Sequence, residues 1–66
     1  MYYLVRKSSN LQNWDQAETI DKGENASTLE GKLEQLQEND SDSTYILIDS
    51  EGTDIHSGEE YPELVA

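Results

Sequence analysis

The chain of 66 residues has no cysteine, a single proline and only four lysines and arginines. Without cysteine it can form neither disulfide bridges nor zinc-finger sites, and it suits a reducing compartment. No apolar run approaches the ~20 residues that a membrane helix needs. The N-terminus is apolar first and basic second, which is the reverse of a secretory signal. We therefore expect a cytoplasmic protein.

Acidic residues outnumber basic ones fifteen to four, which gives a formal net charge of −11. So few cations cannot neutralise a row of phosphates, and this excludes direct binding to nucleic acids and to anionic membranes. Only 33% of the residues are hydrophobic, and the core of so small a domain contributes only ~3–5 kcal/mol. Because that leaves no stability for a strained active site, we expect no enzymatic activity.

The N-terminal third predicts two strands. Residues 2–7 are rich in β-forming side chains and predict the first. The next segment is ambiguous, because Leu11 and Trp14 have helical spacing whereas Trp14 and Ile20 share the parity of a strand. We favour a second strand over residues 14–20, paired with the first as a hairpin.

A capping box predicts the only long helix. Ser27 would cap its N-terminus, and Glu30, three residues later, would reach back to the backbone. We interpret Gly31 as a close approach of this helix to a sheet, and we expect the helix to end near Glu38 with Asn39 in the left-handed conformation. An apolar stripe at positions i, i+4 and i+7 would face the sheet: Leu29, Leu33 and Leu36.

The most apolar segment, residues 44–49, predicts a strand with apolar side chains on both faces, which indicates a central position. Gly52 would supply the turn to a returning strand over residues 53–56. The predicted order is ββαββ, with βαββ as the alternative. This is an α+β fold with one helix packed on one face of a single antiparallel or mixed sheet.

Composition divides the chain into a domain over residues 1–56 and an acidic C-terminal tail over residues 57–66. The tail has two interpretations. It is either a frayed terminus or an acidic-hydrophobic peptide that docks on this domain or on a partner.

No residue pattern predicts a catalytic, cofactor-binding or metal-binding site. His56 is the only histidine, and we interpret it as solvated or paired with a carboxylate. Asp40, Asp42 and Glu51 have part of the spacing of an EF-hand loop, but its sixth position requires glycine and holds Tyr45.

One surface stands out, and we call it the acidic row. Carboxylates recur every four residues along the predicted helix and continue beyond it: Glu30, Glu34, Glu38, Asp40 and Asp42. The row could keep the protein soluble, adapt it to high salt, or imitate nucleic-acid phosphates and occupy a basic groove on a partner.

From the acidic row we expect a small acidic protein-binding module or inhibitor, whose partner is another protein and, in the mimic case, a nucleic-acid-binding protein. The alternative is an accessory or structural protein without intrinsic activity. Trp14 and Tyr45 are the predicted core aromatics, and Tyr61 is the predicted exposed anchor for the partner. A homodimer through an edge strand, either residues 2–7 or residues 53–56, is a further expectation.

Overall fold

The computed structural model describes residues 1–8 and 13–65. The elements in chain order are β1 (Tyr2–Ser8), a 3₁₀ helix (Trp14–Gln16), β2 (Glu18–Gly23), α1 (Ala26–Asn39), β3 (Ser43–Ile48) and a second 3₁₀ helix (Pro62–Leu64). The three strands form one antiparallel sheet of order β2-β1-β3, and α1 connects β2 to β3 and packs on the sheet. The predicted α+β fold, with one helix on one face of the sheet, is confirmed.

The sheet buries apolar side chains on both faces. On the face covered by α1 lies the helix-side cluster, and on the opposite face, covered by the two 3₁₀ helices, lies the rear cluster. The buried members of the helix-side cluster are Leu4, Leu29, Tyr45 and Leu47, with Leu33 and Leu36 packed against them. The buried members of the rear cluster are Val5, Ile46 and Ile48, with Trp14, Tyr61, Leu64 and Val65 packed against them.

The central strand is β1, and the prediction of a central position for residues 44–49 is wrong. In β1, Leu4 pairs with Asp21 of β2 on one side and with Leu47 of β3 on the other. Both faces of β3 are apolar because α1 covers one face of the sheet and the two 3₁₀ helices cover the other. A strand can be buried on both faces in this way without having a neighbouring strand at each of its edges. Residues 2–7 consequently offer no free edge for a homodimer.

The second strand begins later than predicted. Trp14 lies in the first 3₁₀ helix, where its ring packs against the rear cluster, and β2 starts at Glu18. β2 contains a bulge, since Val5 pairs with Thr19 and leaves Ile20 as the extra residue. The helical alternative involved Leu11, which lies outside the described residues.

Both ends of α1 differ from the prediction. Asn25 caps the N-terminus, because its Oδ1 accepts from the backbone N–H groups of Ser27 at 3.1 Å and Thr28 at 3.4 Å. The predicted cap at Ser27 is therefore wrong by two residues, and the helix gains the good helix former Ala26. At the other end, Asn39 is helical, and its side chain donates to the carbonyl of Gln35 at 3.0 Å. The helix therefore ends without the predicted left-handed residue, since no described residue other than glycine has a positive φ.

The chain after β3 folds as two side-chain-stabilised turns, so the predicted strand over residues 53–56 is wrong. The Oδ1 of Asp49 accepts from the backbone N–H of Thr53 at 3.0 Å, and that of Asp54 accepts from His56 at 2.8 Å. Such bonds satisfy the backbone locally and compete with a ladder. Pairing is reduced to the isolated bridges Ile48–Asp54 and Thr53–Glu60.

The C-terminal segment docks on this domain, as one of the two interpretations of the tail expected. Its Tyr61 N–H donates to the carbonyl of Gly52 at 2.7 Å, and three of its side chains cover the rear cluster. Gly52 has a φ of 86°, and the expected turn with positive φ is confirmed. A Cβ at this position would lie 2.7 Å from the Tyr61 carbonyl oxygen.

We expect Gly52→Ala to destabilise the protein by about 2–4 kcal/mol, because left-handed strain and overpacking against Tyr61 add. Gly58→Ala is the matched control. Gly58 has a φ of 79° but no neighbour within 4 Å of its Cβ position, so its substitution should cost only the strain, about 1–2 kcal/mol. Urea unfolding followed by circular dichroism measures both, and equal losses would contradict the tight contact between Gly52 and the tail.

Gly31→Ala should stabilise the protein by up to about 1 kcal/mol. Gly31 is exposed, and nothing lies within 4 Å of a Cβ placed there. The interpretation of this glycine as a close approach to the sheet is therefore wrong. A higher urea midpoint with an unchanged m-value is the expected result, and a lower midpoint would show that the helix needs the glycine.

Candidate functional site

The acidic row divides into internally bonded and open carboxylates. Glu30 and Asp40 are half-buried. The other three members of the row are exposed: Glu34, Glu38 and Asp42. This division bears on binding because the open carboxylates keep both oxygens available to an external cation, whereas the bonded ones share theirs with internal donors.

Glu30 contacts His56, which lies in the turns that follow β3. Its Oε1 lies 2.8 Å from Nε2 of His56, and both side chains remain more than one-third exposed. The interpretation of His56 as paired with a carboxylate is confirmed. The contact is a hydrogen bond when the imidazole is neutral and an ion pair when it is protonated. Because Asn25 caps the helix, Glu30 is not needed for the capping box and is free to make this contact.

Asp40 is part of a polar cluster that joins α1 to the sheet. Its Oδ2 accepts from the Tyr45 hydroxyl at 3.0 Å and lies 3.5 Å from Nε of Arg6. The Tyr45 hydrogen bond is the main cause that lowers the pKa of Asp40. Burial and the Asp40 carboxylate both raise the pKa of Tyr45. Arg6 also pairs with Glu18 at 2.9 Å. Asp40 therefore has a structural role inside this domain.

Gln37 is a residue that the sequence reasoning missed. Its Nε2 donates to the carbonyls of Asp40 at 3.1 Å and Ser43 at 2.8 Å, and its Oε1 accepts from the backbone N–H of Tyr45 at 3.2 Å. These bonds join the end of α1 to the start of β3 and occupy both polar atoms of the side chain. No pattern in the sequence distinguishes Gln37 from the other glutamines of the helix.

Glu34 and Glu38 are the open carboxylates on the helix itself. Within residues 1–8 and 13–65, no cationic side chain pairs with either of them. Three of the four basic side chains have other contacts: Arg6 with Glu18 and Asp40, Lys32 with Asp21 at 2.7 Å, and Lys7 above the Trp14 ring at 4.9 Å. The two open glutamates border a shallow groove whose other lining residues are Leu33 and Gln37.

Tyr61 does not join the acidic row. Its ring lies 5.4 Å from that of Trp14, and it packs against the rear cluster, on the face of the sheet opposite α1. The predicted exposed anchor is therefore a half-buried side chain that holds the C-terminal segment in place. Of the two predicted core aromatics, Tyr45 is buried, whereas Trp14 is partly buried at the rim of the rear cluster.

Among the described residues, no three His, Asp or Glu side chains come together in a way that could hold a metal ion. Across the same residues, no helix has the length and apolar character needed to span a membrane. Comparison of the chain with protein-family models, curated proteins and solved structures found no match.

The hydroxyl of Tyr61 donates to Oε2 of Glu59 at 2.5 Å, and this bond is the main cause that raises the pKa of Tyr61 to about 12. A raised pKa means that the folded state favours the protonated phenol. The corresponding stability is complete below the unfolded pKa of about 10 and is lost as the pH rises to about 12.

We therefore expect a phenolate titration with a component near pH 12 in the ultraviolet absorbance of the wild type. Tyr61→Phe should abolish this component, and Glu59→Gln should move it to lower pH. Glu24→Gln, an exposed carboxylate between β2 and α1, is the control and should leave it unchanged. A Tyr61→Phe titration identical to that of the wild type would contradict the assignment.

Proposed function

We propose that this protein is a small acidic protein-binding module that inhibits or regulates a partner by covering a basic surface with the solvent-facing side of α1. One observation carries the proposal. Glu34 and Glu38 are exposed on that side without an internal cation, although two of the chain's four basic side chains pair with other carboxylates.

The electrostatics of α1 favour a basic partner. Glu34 and Glu38 are four residues apart and repel each other by a few tenths of a kcal/mol. A lysine or arginine from a partner would relieve that repulsion, and a net charge of −11 would accelerate the encounter. Both carboxylates lie on a helix whose other face packs on the sheet. The backbone of this helix therefore loses little conformational entropy when a partner binds.

Nucleic-acid mimicry is the extended form of this proposal. A mimic would use the whole acidic row against a protein that normally binds nucleic acid. The internal contacts of Glu30 and Asp40 leave a shorter open row, and this favours a local acidic surface over a continuous one. We propose a cytoplasmic partner, and we propose no catalytic activity for this chain.

The test uses two double variants with the same change in net charge. We expect Glu34→Lys with Glu38→Lys to abolish capture of the partner from a lysate of the protein's own host, and to lower the association rate and its salt dependence. The control is Glu51→Lys with Glu60→Lys, two exposed positions outside the acidic row. Equal capture by both variants would contradict the proposal.

The conditions that release a captured partner distinguish nucleic-acid mimicry from binding without mimicry. Release of the partner by duplex DNA supports mimicry, whereas release only by salt supports a binding module without mimicry. If no protein is captured and folding followed by circular dichroism requires molar salt, the accessory protein adapted to high salt replaces the proposal.

A further inference from the structure

We infer that the groove on α1 receives a basic amphipathic helix of the partner, with an apolar side chain of that helix between Leu33 and Glu34 and its lysines or arginines beside the open glutamates. This inference rests on the proposed function, which it deepens by naming the class of partner segment. The geometry, the lining and the charge of the groove each support it.

The geometry is that of a groove between two helical ridges. Leu33 and Gln37 are four residues apart and form one ridge, and Glu34 and Glu38 form the next. Side chains four residues apart on another helix make a ridge of matching spacing, which fits such a groove when the two helices cross.

The lining of the groove favours an apolar side chain. Leu33 is half-buried, so it packs against the helix-side cluster and still borders the groove. Gln37 forms the rest of this wall, and both polar atoms of its amide are bonded to the backbone around β3. The amide is therefore held in place, and a polar group entering the groove would compete with bonds that already exist.

The charge at the rim selects a basic helix and opposes a second copy of this chain. Glu34 and Glu38 border the groove without cations of their own among the described residues. Two copies meeting through this surface would bring four carboxylates together, with a net charge of −11 on each chain. The outer edge of β2 is also a poor site for a second copy, since a bulge and charged side chains oppose strand pairing there.

Nuclear magnetic resonance titration with designed peptides tests the inference on the intact chain. The probe is a two-heptad peptide of leucines and lysines with leucines at helical spacing. The matched peptide has the same composition, and hence the same charge, with leucines and lysines alternating. We expect the helical peptide to bind about tenfold more tightly, a difference of about 1.4 kcal/mol, and to shift the Leu33 methyl and Gln37 side-chain amide signals.

Two sets of variants separate the contribution of the groove to peptide affinity from the contribution of the charge. Glu34→Gln with Glu38→Gln should weaken both peptides by similar factors, because it changes the rim charge alone. Leu33→Ser should remove the advantage of the helical peptide and leave the alternating peptide unaffected. Since Leu33→Ser could also impair folding, nuclear Overhauser contacts between the wild-type Leu33 methyls and the peptide leucines provide a measurement that needs no variant.

The outcomes distinguish this inference from the proposed function. Equal affinity for the two peptides, or shifts centred on residues 59–63, would overturn the helix-in-groove assignment while leaving electrostatic binding intact. If the rim variants have no effect on either peptide, the proposed function loses its basis as well. Dimerisation of the free protein, measured by sedimentation, would replace the basic helix with a second copy as the occupant.

Discussion

Leu4 and Val5 are adjacent in the central strand and fully buried, and they point to opposite faces of the sheet. A sheet with an apolar side chain on each face must be covered twice, and a chain of 66 residues has little material for two layers. Helix α1 covers one face. The other is covered by two single-turn 3₁₀ helices, so the C-terminal segment is part of the core packing and not an appendage.

Because both faces of the sheet are covered, separate groups of polar residues hold each covering layer in place. On the helix side, Gln37 and Asp40 connect the end of α1 to the start of β3 through three hydrogen bonds, counting the one from the Tyr45 hydroxyl. On the rear side, the tight contact at Gly52 and the hydrogen bond from the Tyr61 N–H to the Gly52 carbonyl hold the C-terminal segment. Asp40 and Glu59 have internal hydrogen-bond partners, whereas Glu34 and Glu38 on the outer side of α1 have no cationic partner among the described residues.

The candidate site is smaller and more specific than an acidic composition implies. A formal charge of −11 predicts attraction to any basic surface. The site that we propose is two open glutamates beside a groove lined in part by Leu33, on a helix whose opposite face packs on the sheet. An interface of this kind combines charge, which governs the encounter, with an apolar contact, which governs the lifetime of the complex.

Local patterns by themselves determined the first strand, the Leu29 stripe of α1, the apolar strand β3 and the positive φ at Gly52. Each of these depends on residues within a few positions of one another, through periodicity or turn chemistry. The start of β2 and the helix cap were misplaced because competing local signals, such as Asn25 against Ser27, have similar energies, so packing and local context select between them.

Tertiary structure alone decided the order of the strands, the docking of the tail and which carboxylates remain open. Strand order depends on how the layers cover the sheet, and no periodicity encodes that. Glu30 and His56 are 26 positions apart in sequence and 2.8 Å apart in space, so the sequence carries no sign of their contact. The acidic row was visible as spacing along one helix, but its division into bonded and open members exists only once distant segments meet.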